Sequence, residues 1–191
     1  MNSFGVGTET VSAGVLLIRL VTGLVMTAHG AQKLFGWFGG YGLDKTGEFF
    51  AQLGFRPGRP FAAAASFAEI VSGLLVASGF LGPIGPALMI SVMIVAALTV
   101  HWEHGLFATN NGIELPLLYI TSAAGLALIG FGRYSLDAWL GLADRWTPAE
   151  AWIALGVGVL GGVANLIIRR RSMTLPEVLT DFSVSLLSAV G

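Results

Sequence analysis

Histidine, lysine and glutamate residues stand at the ends of strongly apolar stretches of this chain. His29 and Lys33 are four residues apart, His101 and His104 are three apart, and Glu114 opens the next apolar stretch. Residues at these spacings share one face of a helix. If the first and third helices run in the same direction, all five side chains meet at one face of a membrane. Converging ionisable groups in a membrane mark a ligand or proton path.

A layer of this composition suits an amphipathic ring-shaped ligand such as a quinone. Histidine and lysine can donate hydrogen bonds to its carbonyl oxygens, apolar walls can hold a prenyl tail, and Trp37 or Trp102 can stack on the ring. A haem between His29 and His101 is an alternative, although both histidines are predicted at the edge of the bundle rather than in mid-membrane. A metal site is not predicted, because His101, His104 and Glu114 lack a spacing signature such as HExxH.

Two further charges lie inside apolar stretches, Arg19 in the first and Glu69 in the second. Counted from the predicted helix ends at ~1.5 Å per residue, both lie on the order of 12 to 15 Å below the polar layer. Their matching depth and opposite charge predict an ion pair. This pair is either purely structural or the floor of a polar cavity, and the sequence leaves both interpretations open.

The composition requires a membrane setting for these residues. Of 191 residues, 54% are hydrophobic and only 11% are charged, with a mean hydropathy of +0.78. The net charge of -1 gives no reason to expect nucleic acid, and the absence of cysteine excludes disulfide relays, iron–sulfur clusters and cysteine-ligated zinc. Apolar stretches long enough to cross a bilayer predict five transmembrane helices, at 11–28, 61–80, 84–100, 115–131 and 151–168.

The segments outside these stretches carry further signals. The connection 29–60 is predicted to be interfacial and to contain a short helix, capped by Asp44 or Thr46 and stopped by Gly54. The tail is predicted to form an amphipathic helix over 173–188. In the last span, a stripe of small residues predicts close packing, either within the bundle or in a homo-oligomer, through Ala154, Gly158 and Gly162.

Positive charge is distributed unevenly over the predicted loops. The first connection and the tail hold most of it, in Lys33, Lys45, Arg56, Arg59, Arg169, Arg170 and Arg171. By the positive-inside rule, the N-terminus is expected outside the cell and the C-terminus in the cytoplasm.

Four segments resemble, in order, the pattern of the DoxX family of bacterial membrane proteins. They are "RLVTGLVMTAHGAQKLFGWFGGYGLDKTGEFFAQLGF", "FAEIVSGLLVASGFLGP", "HWEHGLFATNNGIELPLLY" and "GFGRYSLD", within about 14–142. The resemblance implies a four-helix bundle in the bacterial plasma (inner) membrane, related to the membrane subunit of a thiosulfate:quinone oxidoreductase. The family positions that it carries over are His29, Lys33, Glu69, His101, Glu114, Arg133 and Asp137.

The sequence thus predicts an all-α membrane protein. An antiparallel four-helix transmembrane bundle over 11–142 is followed by a fifth transmembrane helix and the amphipathic tail helix. The predicted function is a subunit of a redox system that interacts with a membrane quinone and a separate oxidoreductase partner, and the alternative is a non-catalytic scaffold or a small-molecule permease. The predicted ligand-binding residues are His29, Lys33, Glu69, His101, His104 and Glu114, and the predicted structural polar residues are Arg19, Arg133 and Asp137.

Overall fold

The structure is a computed structural model that describes residues 7–169, and in this range the chain is helical without a strand. The helices are α1 (Thr8–Phe35), α2 (Gly42–Gln52), α3 (Gly58–Ser78), α4 (Ile84–Ala96), α5 (Glu114–Ile129), α6 (Leu136–Trp139) and α7 (Pro148–Ile167). Helix α4 continues through a π-helical turn, Ala97–His101, and a 3-10 turn, Trp102–His104. The all-α membrane fold predicted from the sequence is confirmed.

Helices α1, α3, α4 and α5 form an antiparallel bundle, and α7 packs on the outside of α4. The bundle core is apolar, with Met26, Val76, Met89 and Leu126 almost fully buried. Four helices are long and apolar enough to cross a membrane: α1, α3, α4 with its C-terminal turns, and α7. Helix α5 is apolar but has 16 residues, about 24 Å, and it runs between the same two ends of the bundle.

The two ends of the bundle are distinct. One, which we call the α2 end, holds the C-terminus of α1, helix α2, the start of α3, residues 101–114 and the end of α7. The other, the Gly82 end, holds the start of α1, the α3–α4 turn and residues 130–147. Exposed tryptophans lie at both ends, as is common where a helix bundle meets the two membrane interfaces: Trp37 and Trp102 at the first, Trp139 and Trp152 at the second.

Glycines allow the helices to approach closely. A Cβ atom on Gly23 of α1 would lie 2.5 Å from the carbonyl oxygen of Gly73 in α3. A Cβ on Gly158 of α7 would lie 2.4 Å from the carbonyl oxygen of Ala87 in α4. Gly162 also packs against α4. The small-residue stripe of the last span therefore packs within the chain, and two of its three positions are not free to contact a second copy.

The connection predicted at 29–60 is largely helical. Helix α1 runs seven residues beyond the predicted end at Ala28, because it continues through Gly30, which packs on α3, and ends only at Gly36, which has a φ of 75°. The short helix is present as α2, and Gly54, with a φ of 94°, follows its end as predicted, but the predicted N-terminal caps Asp44 and Thr46 are wrong. It begins at Gly42, and the hydroxyl of Thr46 donates to the Gly42 carbonyl within the helix. The tail helix predicted at 173–188 lies outside the described residues.

Candidate functional site

The packing of α1 on α3 determines which charged residues lie at the same depth. Gly30 contacts the backbone of Ser66, and Gly23 contacts that of Gly73. Because the helices are antiparallel, every residue further along α3 lies opposite an earlier residue of α1. Gly30 also contacts the backbone of Ile70, so Glu69, which lies between Ser66 and Ile70, is near the level of Gly30.

The predicted ion pair between Arg19 and Glu69 is wrong. Glu69 forms its ion pair with Lys33, and Arg19 donates instead to the backbone carbonyls of Ser78, at 3.4 Å, and Tyr134. The two residues differ in depth by about ten positions of α1, or ~15 Å. The prediction assumed that the helix ends are level. In the structure α3 begins beyond the end of α1, and this offset separates the two charges.

A cavity of about 460 Å³ lies among α2, α3 and α4 toward the α2 end, with α7 along one side. Three of the six predicted ligand-binding residues line it: Lys33, Glu69 and His101. Its walls are mostly apolar and combine aromatic with small side chains, with Phe49, Phe50, Phe61, Ala64, Ala65 and Ala68 among them. An apolar cavity with a few polar groups at one place is the usual form of a small-molecule site.

Glu69 is the most unusual residue of this cavity because its side chain is 0% exposed. Its Oε1 accepts a hydrogen bond from the ammonium group of Lys33, whose side chain is 34% exposed and starts closer to the α2 end. Its Oε2 is buried without a hydrogen-bond partner. A buried carboxylate oxygen without a donor is costly, so it is a strong acceptor for any donor group that reaches it.

His101 lies at the end of the π-helical turn, and such turns occur often at functional sites. Its Nδ1 is 2.7 Å from the carbonyl oxygen of Asn111, which can only accept, so Nδ1 carries a proton. In the neutral ring Nε2 is then an acceptor. The loop before α5 thereby holds the imidazole in one orientation and one tautomer.

The other predicted ligand-binding residues lie apart from the cavity lining. His29 packs edge-on against Tyr119, with ring centroids 6.0 Å apart. His104 is exposed and bonds to the carbonyl of Val100 at 3.0 Å. Glu114 accepts a 2.8 Å hydrogen bond from a backbone N–H of the loop before α5. Because His29 does not line the cavity that His101 lines, the two histidines do not share one space for a haem.

Two further expectations concern aromatic stacking and metal binding. Neither Trp37 nor Trp102 lines the cavity, so the aromatic ring contacts available there come from phenylalanines and Tyr41. Across the part of the chain that the structure describes, no three His, Asp or Glu side chains are grouped closely enough to hold a metal ion.

The polar residues at the Gly82 end hold loops together. Asp137 is 2% exposed and accepts from the backbone N–H groups of Leu81, at 3.0 Å, and Gly82, at 2.7 Å. It also accepts from the indole N–H of Trp146 at 3.0 Å. Arg133 forms a 2.6 Å ion pair with the exposed carboxylate of Glu9 at the start of α1. The Asp137 contacts connect the α3–α4 turn to the segment that precedes α7, and the Arg133 ion pair connects the loop after α5 to the start of α1.

Several cavity residues were not predicted: Lys45, Thr46, Thr99 and Asn165. Thr46 could have been found, since it shares the apolar face of α2 with Phe49 and Phe50 at helical spacing. Thr99 is two residues before His101, a spacing that a regular α-helix places on different faces, and no signal in the sequence marks the π-helical turn. Asn165 reaches the cavity only because α7 packs on α4.

Comparisons with known proteins match part of this chain to one family. Residues 14–102 match the family model described as DoxX. A protein of Bacillus subtilis (strain 168) named "Putative oxidoreductase CatD" is 28% identical over 124 residues, which cover 65% of this chain and 84% of the Bacillus protein. No solved structure matches the chain. Lys33, Glu69 and His101 all fall within the matched segment, whereas α5 and α7 lie beyond it.

Proposed function

From the premise that the chain belongs to the DoxX family through residues 14–102, we propose that it is the quinone-binding membrane subunit of a redox system. It is a multi-pass plasma-membrane protein with four helices long and apolar enough to cross the bilayer. The relative named an oxidoreductase supports the redox class. The residues that line the cavity support a quinone as the ligand.

The observation that carries this proposal is the buried, unpartnered Oε2 of Glu69, a residue that lines a cavity with apolar walls. A buried acceptor without a donor has no evident structural use, since the ion pair with Lys33 uses only the other oxygen. The volume of about 460 Å³ is within the range of small-molecule sites. The alanine face of α3 leaves room for a flat ring or an apolar chain, and Phe49 and Phe61 offer aromatic contacts.

The polar residues of the cavity suit proton exchange. Reduction of a quinone takes up two electrons and two protons. Glu69 and His101 are groups that can hold a proton at the cavity wall, and the partly exposed Lys33 connects Glu69 to the aqueous side of the α2 end. The electrons are assigned to a separate oxidoreductase partner, because this chain has no cysteine and no recognisable flavin-binding motif.

Two measurements on the purified full chain test the proposal. Organic extraction should release a co-purified quinone, and a short-tail ubiquinone or menaquinone analogue should raise the midpoint of thermal unfolding. At about 100 times the dissociation constant the gain is ~2.7 kcal/mol, or roughly 5 to 10 °C. His101→Gln should reduce this shift, because it removes a side chain that lines the cavity.

His104→Gln is the matched control, since His104 is three residues away, exposed and outside the cavity lining. It should retain the full thermal shift. If no quinone is extracted and neither analogue changes the melting of the wild-type chain, the proposal is wrong. The alternative of a non-catalytic scaffold or a small-molecule permease would then be favoured.

A further inference from the structure

Three polar side chains that line the cavity, Thr46, Thr99 and His101, already donate their protons to the backbone. The hydroxyl groups of Thr46 and Thr99 donate to carbonyls one turn earlier in their own helices, at 2.7 and 2.8 Å. His101 donates through Nδ1 to Asn111 at 2.7 Å. What these groups can still offer are lone pairs, on the two hydroxyl oxygens and on Nε2 of the neutral imidazole.

Glu69 adds the strongest acceptor. Its ion pair with Lys33 identifies it as a carboxylate, and an ionised carboxylate only accepts hydrogen bonds. Oε2 is buried and has no donor. A hydrogen bond to this oxygen is charge-assisted and therefore stronger than one between neutral groups.

The cationic and phenolic donors of the cavity lining are partly or fully exposed. Lys33 is partly exposed and can give a second N–H, while Lys45 and Tyr41, the latter at 79% exposure, are mostly hydrated. A head group that contacts both Lys33 and Glu69 must accept from the first and donate to the second. A phenolic hydroxyl does both. A quinone carbonyl only accepts, and it would bring its lone pairs against Oε2 of Glu69.

We infer that the cavity binds the hydroquinone form of its ligand more tightly than the quinone form, because a ring hydroxyl donates to Glu69 Oε2. This inference rests on the proposed function and specifies the ligand state that the site selects. Because the quinone lacks this hydrogen bond to a charged group, its dissociation constant should exceed that of the hydroquinone by a factor on the order of ten to a hundred. Each tenfold preference raises the two-electron midpoint potential of the bound couple by about 30 mV, which makes the bound quinone a better oxidant.

The experiment compares three ligands that share one ring and one short tail: the quinone, the hydroquinone under anaerobic conditions, and the hydroquinone dimethyl ether, which has no donor. Dissociation constants for the wild-type full chain in detergent are measured by calorimetry. The hydroquinone should bind at least about tenfold more tightly than the quinone. The dimethyl ether should bind no more tightly than the quinone.

The outcomes separate the inference from the proposed function. Equal binding of quinone and hydroquinone, or tighter binding of the quinone, overturns the inference and leaves the quinone site standing. Dimethyl ether binding as tight as hydroquinone binding also overturns it, because the hydroxyl proton would then contribute nothing. Failure of all three ligands to bind overturns both proposals.

A variant assigns the preference to Glu69. In the double variant Lys33→Met/Glu69→Gln the acceptor becomes an amide that can also donate, and no lone charge remains. Its preference for hydroquinone should fall to about threefold or less, as expected when a neutral hydrogen bond replaces a charged one. Glu103→Gln, an exposed carboxylate at the same end and outside the lining, should keep the wild-type preference. An unchanged preference in the double variant overturns the role of Glu69.

Discussion

Arg19 shows how a guanidinium can be buried in a membrane helix without a carboxylate. It is 2% exposed, and it donates to carbonyls at the C-terminus of α3 and in the loop after α5. Helix C-terminal carbonyls carry partial negative charge and lack partners within their own helix. Gly79 makes this possible, because a Cβ there would lie within 2 Å of the guanidinium. The arginine thus acts as a cap supplied by a neighbouring helix.

Arg19→Met should therefore lower stability. It removes charge-assisted hydrogen bonds worth roughly 1.5 to 3 kcal/mol each and leaves buried carbonyls unpaired, so we expect the thermal midpoint in detergent to fall by at least several degrees. Arg133→Met is the control, since its ion pair is exposed and pairs of that kind contribute about 0 to 1 kcal/mol. Equal melting of the two variants would contradict the capping role.

The Lys33–Glu69 pair should respond asymmetrically to substitution. Lys33→Met leaves a fully buried carboxylate without its cation, and breaking such a pair costs about 3 to 5 kcal/mol. Glu69→Gln should cost less, because the remaining lysine is partly exposed and can be hydrated. The double variant should recover much of the loss of Lys33→Met. Thermal melts of the three variants test this order. A larger loss of stability in Glu69→Gln than in Lys33→Met would contradict it.

Arg19 and Glu69 should be energetically independent, since they differ in depth by ~15 Å and have no shared hydrogen-bond partner among the described residues. The losses in Arg19→Met/Glu69→Gln should add within about 0.5 kcal/mol. A strong coupling energy in this double-mutant cycle, measured by unfolding, would indicate that Arg19 and Glu69 interact and would contradict their separation in the structure.

At the scale of elements, α7 is the helix that lies outside both the four-helix bundle and the DoxX match, yet it completes one side of the cavity. Its start is well specified, because Thr147 and Glu150 form a capping box around Pro148. Its position depends on Gly158 and Gly162, which let it lie against α4. Anything that moves α7 from α4 should therefore also open the cavity.

Gly158→Leu tests this dependence. The new side chain would start 2.4 Å from a carbonyl oxygen of α4, so the helices must separate. We expect lower thermal stability and weaker binding of the quinone analogue. Gly156→Leu is the control, because its Cβ would meet nothing within 4 Å and the residue is exposed. If both variants bind the analogue like the wild type, α7 is not a wall of the site.

At the scale of the whole molecule, two features can be tested directly: the orientation of the protein in the membrane and the crossing of the bilayer by α5. The α2 end carries Lys33, Lys45, Arg56, Arg59 and Arg169, whereas the Gly82 end carries Arg133 and Arg145 besides the buried Arg19. The positive-inside rule assigns the α2 end to the cytoplasm. With 16 residues, α5 is shorter than the ~20 that usually span a bilayer, so its crossing needs a direct test.

The absence of cysteine makes single-cysteine labelling straightforward. Glu103→Cys places an exposed thiol before α5, at the α2 end, and Asp144→Cys places one after α5, at the Gly82 end. A membrane-impermeant maleimide should label position 144 in intact cells and position 103 only after permeabilisation. Labelling of both from one side would show that α5 does not cross. Gly82 is unsuitable as a reporter, because a Cβ there would lie 2.4 Å from the ring of Trp146.

The sequence by itself determined the membrane setting, the helical fold and the approximate helix positions. Apolar stretches near 20 residues can satisfy their backbone in lipid only as helices or closed barrels, and the helix-breaking turns between them separate the spans. Helix direction alternates along such a chain. It follows that Lys33 and His101, at the ends of the first and third long helices, had to lie toward the same end.

Only the tertiary structure decided which polar side chains touch. Register and rotation between helices depend on close contacts such as Gly30 against Ser66 and Gly158 against Ala87, which join residues far apart in sequence. A helical period defines a face but not the neighbour it meets. The offset of α3 relative to α1 therefore pairs Glu69 with Lys33 instead of Arg19 and leaves the second carboxylate oxygen of this cavity residue without a donor.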